Sequence, residues 1–172
     1  MDFNPENNRY PEELIESSFL REARYLCNLQ SYKWAPRQVS VDVGLRKIYF
    51  EWFNNTCEDK LSSLWKEQLE EIAKDLHNKN IYKPSFYPKY FYVDNNDQMH
   101  AFNFYTAFDY NENPVNVEFY RPILNQDRSK LIDRLAPNGK LQLQDLMYQA
   151  FNNYIAWPDN ALKDIYKRVY VL

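Results

Sequence analysis

Residues 101–122, AFNFYTAFDYNENPVNVEFYRP, hold seven aromatic rings and three carboxylates, with no basic side chain before Arg121. Apolar and polar residues alternate with period two, the pattern of a half-buried strand. NENP (111–114) reads as the loop of a hairpin in which Tyr110 faces Val115. One face then carries Phe102, Phe104, Thr106, Phe108 and Tyr110 opposite Val115, Val117 and Phe119, and belongs to a core. The other carries Asn103, Tyr105, Ala107 and Asp109 opposite Asn116, Glu118 and Tyr120. A slip of one residue would bury Asp109 and Glu118, so the pattern itself resists it. A tight turn at DNND (94–97) extends the meander back to Tyr90, Tyr92 and Asp94, giving strands over about residues 90–121.

Helical spacing surrounds this centre. Pro11 opens EELIESSFLREARYLCNLQ, with early carboxylates facing the dipole and Leu14, Ile15, Phe19, Ala23, Leu26 and Cys27 on one face, a helix over 11–31. Leu45, Ile48, Tyr49, Trp52 and Phe53 suggest a helix over 42–54, although Val39, Val41 and Val43 alternate like a strand. Thr56 with Asp59 resembles a capping box before a helix over 57–78, whose stripe is Leu61, Leu64, Trp65, Leu69, Ile72, Ala73 and Leu76. Pro84 and Pro88 make the next segment an extended connector. Spacings of three and four predict C-terminal helices over 127–136, 141–156 and 159–170. The fold class is α+β, one globular domain over 1–172.

Composition narrows the chemistry. Two glycines in 172 residues, Gly44 and Gly139, leave no phosphate-wrapping loop to be written. Cys27 and Cys57 lack metal-binding spacing and are expected as reduced, mostly buried thiols. His77 and His100 lie in no metal or base motif and are assigned structural roles, so neither cofactor nor metal is expected. No apolar window is long enough to span a membrane and the N-terminus is acidic and polar, so a cytoplasmic protein is expected.

Net charge is −3, and between Tyr90 and Tyr120 five carboxylates meet no Lys or Arg. Such a surface repels a phosphate backbone, and the basic trio Lys163, Lys167 and Arg168 is a solvated helix face, so nucleic acid is not the expected partner. Glu67, Glu71 and Asp75 form a second acidic ridge at helical spacing. Tyrosines give rigid contact area with a polar handle. The expected binding residues are therefore Tyr92, Asp94, Tyr105, Asp109, Glu112, Glu118 and Tyr120, facing a basic protein. In general character, though at no particular residues, the profile resembles bacterial immunity proteins: small, acidic, cytoplasmic and without catalytic motifs. The expected function is thus a non-enzymatic inhibitor of a basic partner such as a toxin nuclease. The alternatives are a small hydrolase or transferase using Asp109 and Glu118, and an assembly component.

Overall fold

The computed structural model describes residues 12–109 and 155–170. These form an α+β arrangement of helices α1 (Glu12–Asn28), α2 (Trp65–Asn78) and α3 (Ala161–Tyr170) with six short strands. The strands are β1 (Ser40–Asp42), β2 (Lys47–Tyr49), β3 (Ile81–Tyr82), β4 (Phe91–Val93), β5 (Met99–Ala101) and β6 (Phe108–Asp109). They pair antiparallel as β1–β2, β3–β6 and β4–β5. The expected helices over 127–136 and 141–156 and the Tyr110–Val115 hairpin lie wholly or largely outside the described residues.

Helix α1 buries Ile15, Phe19 and Leu26 as its spacing implies, but Cys27 is exposed and the buried face also includes Ser18 and Glu22. Helix α2 buries Leu69, Ile72, Ala73 and Leu76 against α3, which contributes Leu162, Ile165 and Tyr166 to the same core. It starts at Trp65, eight residues later than expected. The capping-box pair does form, with Asp59 Oδ2 accepting from Thr56 Oγ1 at 3.0 Å, but it closes only a turn at 56–60. Asp97 then holds Ser63 by its amide and hydroxyl, and its backbone carbonyl accepts from Ser62 Oγ, so residues 61–64 run along the β4–β5 turn before the helix begins.

Two expectations are corrected outright. In place of the helix expected over 42–54, residues 40–49 form a β-hairpin, with Val41 opposite Ile48 and Asp42 opposite Lys47. Asp42 Oδ1 accepts the Leu45 amide at 2.8 Å and Arg46 adopts φ 51°, so an aspartate-led turn at 43–46 reverses the chain where the helical spacing would have run on. Residues 102–107 do not continue β5. Asn103 sits at φ 66°, in the left-handed region that asparagine tolerates better than most residues, and the strand breaks there. Strand β6 pairs instead with β3, Ile81 opposite Asp109. The two-face pattern is lost with it: Phe102, Asn103, Phe104, Thr106 and Ala107 are all buried. The DNND turn forms as expected, joining β4 to β5 with Tyr92 opposite His100.

The acidic ridge of α2 is largely paired within the protein. Glu71 meets Lys33 at 2.9 Å, and Asp75 Oδ2 accepts from Trp34 Nε1 at 2.7 Å. Glu70 meets Lys74 at 2.8 Å and Arg168 of α3 at 2.6 Å. Hydrogen bonds from Arg168 and Lys74 hold the Glu70 carboxyl down at about 2. Because this folded value lies below the ordinary 4.5, the pair's contribution is present above pH 4.5 and is lost as pH falls towards 2. Arg168→Ala should therefore lower stability at neutral pH and have far less effect near pH 2. Urea unfolding at the two pH values checks this, and an equal loss at both would show that Arg168 acts through packing.

Candidate functional site

Four of the seven expected binding residues lie among the described ones, and they do not form one face. Tyr92 is fully buried, so its assignment to a binding surface is corrected: Phe50, Trp52, Phe53 and Phe102 crowd its ring, and His100 stacks on it at 4.9 Å. That burial, before any other cause, raises its phenol above the ordinary range. The segment after β2, misread as helix, is what covers it. Tyr105 is half-buried and packs against the core. Asp109 is half-buried in the β3–β6 ladder. Glu112, Glu118 and Tyr120 lie outside the described residues.

Asp94 organises the β4–β5 turn. Its Oδ1 accepts the amides of Asn96 at 2.8 Å and Gln98 at 2.9 Å, and its Oδ2 lies 3.0 Å from His100 Nε2. Burial opposes its ionisation, but His100 and those two amides outweigh burial and hold the carboxyl below its usual range. The other ring nitrogen of His100 lies 2.9 Å from the Ala35 carbonyl oxygen. Both ring nitrogens thus face acceptors, a structural role as expected. His77, in the last turn of α2, packs edge-on to Tyr170 at 4.7 Å.

Beside this turn lies a cleft of about 480 Å³ between residues 52–55 and 93–97. Trp52 lines it, 46% exposed yet fixed by the rings of Tyr92 at 5.2 Å and Phe102 at 5.3 Å. Asn54, Asn55 and Asn95 line it too, exposed, and among the described residues their side-chain amides make no hydrogen bond. Its carboxylates are engaged: Asp94 as above, and Asp97 by Ser63, whose hydroxyl and amide hold it below its usual range. Lys60 is the one cation among the described lining residues.

No protein-family model matches the chain, and no curated protein does.

A second cleft, about 570 Å³, is lined by Cys57, Leu61, Tyr87 and Pro88 among others. Burial pushes the Cys57 thiol up to about 12, so it is a packing residue and a poor nucleophile at neutral pH. Among the described residues no three His, Cys, Asp or Glu side chains are placed to hold a metal, and no helix is long and apolar enough to cross a membrane.

The most unusual ionisable groups are ones that periodicity passed over. Glu22 of α1 is 0% exposed and Lys83 is 2% exposed. The Glu22 carboxylate accepts the amides of Asn103, at 3.0 Å, and Phe104. Lys83 donates to the carbonyl and hydroxyl of Ser85, and the rings of Phe86, Tyr90, Phe91 and Phe104 surround its ammonium at 5.2 to 6.0 Å. Burial raises the Glu22 carboxyl and lowers the Lys83 ammonium, each partly offset by the charge of the other. The cluster has no opening to solvent through either residue, so it serves the fold. The readable signal was a carboxylate at position 22, on the same helix face as Phe19 and Leu26.

Proposed function

We propose that the protein is a non-enzymatic binding protein that occludes a basic protein partner, in its finer form an intracellular, immunity-type inhibitor of a toxin such as a nuclease. The observation that supports this best is the β1–β2 hairpin. Val43 is 68% exposed, Leu45 59% and Tyr49 51%, three of the seven exposed large apolar side chains among the described residues, within seven residues of chain. A tyrosine with aliphatic neighbours at a hairpin turn is an anchor set for a protein interface.

The net charge of −3, with five carboxylates and no Lys or Arg between Tyr90 and Tyr120, steers cationic surfaces towards the chain. Association should be fast at low salt and slow as salt rises. In an inhibitor of a nuclease, carboxylates would stand where the substrate's phosphates stand.

The test is affinity purification under native conditions from the source cell, followed by titration of the retained protein. A basic partner is expected, with its affinity reduced about tenfold or more by Leu45→Ala with Tyr49→Ala. Those residues are exposed, so melting should be unchanged. An acidic partner, or a basic one bound equally by the double variant, would overturn the reading.

A further inference from the structure

The cleft between residues 52–55 and 93–97 combines an exposed indole with three asparagine side chains. A pyranose ring presents C–H groups on one face and hydroxyls around its edge. A site for it needs a rigid aromatic plane beside planar groups that donate and accept at once. Trp52 supplies the plane: it is half exposed at the cleft wall, yet packed against Tyr92 and Phe102, so little order remains to be imposed on binding. The side-chain amides of Asn54, Asn55 and Asn95 supply the donors and acceptors, each with two N–H groups and a carbonyl oxygen that nothing else among the described residues occupies.

The carboxylates of the cleft are already engaged by partners within the protein. Asp94 is held by His100 and two amides, Asp97 by Ser63, and Lys60 stands in the same wall. Neutral amides, not free carboxylates, are what the cleft offers. Its volume of about 480 Å³ falls within the ordinary range for small-molecule sites. We infer that this cleft is a binding site for a neutral saccharide, stacked on Trp52 and hydrogen-bonded by the three asparagines.

The full chain, labelled with 15N, is titrated with maltose, cellobiose, lactose and N,N′-diacetylchitobiose at millimolar concentration, and with pentaarginine as the cationic competitor. At least one disaccharide should shift the Trp52 indole together with the side-chain amides of Asn54, Asn55 and Asn95. Trp52→Ala should weaken that saccharide about tenfold, the loss of one stacking contact. Asn95→Ala, at an exposed position, should weaken it with melting unchanged. No shift with any of the four sugars overturns the assignment. So does a saccharide bound equally by Trp52→Ala, or pentaarginine moving the same resonances more strongly. The readout is independent of any protein partner, so its failure leaves the proposed protein-binding function standing, and the reverse holds too.

Discussion

Replacing Glu22 by Ala should destabilise the protein by about 3–5 kcal/mol, and Lys83→Met should do the same, whereas Glu22→Gln combined with Lys83→Met should cost far less than the sum. Removing Glu22 takes the counter-charge from Lys83, buried among four aromatic rings, and strips the acceptor from the Asn103 and Phe104 amides. Removing Lys83 takes the counter-charge from a fully buried carboxyl, which is left with neutral donors alone. In the double variant the Gln oxygen still accepts from both amides, and the Met stem fills the space between the rings with no charge left to desolvate. Urea unfolding of the two singles, Glu22→Gln and Lys83→Met, and of the double completes a cycle whose coupling energy is the observable. Additive losses would show that the two charges do not sense each other, and would sink the account of the cluster.

This cluster also marks where the sequence ceased to be readable. Period 3.6 correctly placed Ile15, Phe19 and Leu26 on the buried side of α1, and the same period places Glu22 among them. A carboxylate on an apolar face is passed over because its partner is distant in sequence: the amides it needs are those of Asn103 and Phe104, beyond α2 and two hairpins. The left-handed turn at Asn103 that presents them is the same feature that stopped residues 102–107 from alternating as a strand. One asparagine thus undid the two-face reading on which the expected site depended.

The β1–β2 hairpin was misread for a different reason. Leu45, Ile48, Tyr49 and Trp52 fall at spacings of three and four, and periodicity treats apolar as buried. Only Ile48 of the four is buried, whereas Leu45, Tyr49 and Trp52 are exposed. The alternating Val39, Val41 and Val43, and the aspartate before Gly44, carried the better signal. By contrast, the DNND turn was legible because its chemistry is local: Asp94 bonds the amides two and four residues on. Among the described residues, the aromatic and acidic neighbourhood expected on the sheet survives only around Asp94, in a cleft whose wall comes from the segment taken for a helix. Trp52 and Asn54 were hidden by that one error.

Trp157→Ala should be the costliest single change in the C-terminal segment, about 3–5 kcal/mol. Trp157 precedes the Pro158–Asn160 turn that leads into α3, and it is buried where that segment meets the body of the protein. Its ring stacks on Trp65 of α2 at 5.8 Å and meets Phe91 of β4 edge-on at 5.4 Å. Its Nε1 donates to the Phe86 carbonyl at 2.7 Å, a buried acceptor that nothing else is shown to serve. Trp157→Phe separates the two contributions: it keeps an aromatic ring against Trp65 and Phe91 but strands the carbonyl, at a cost of about 1–3 kcal/mol. The Ala variant should also lower the melting temperature by about 10 °C, given the entropy of unfolding of a chain this long. Thermal and urea unfolding of both variants decide the matter. Equal effects of Phe and Ala would place the whole contribution in the hydrogen bond, and a negligible effect of Ala would mean that α3 is held to α2 by Leu162, Ile165 and the Glu70–Arg168 pair without help from Trp157.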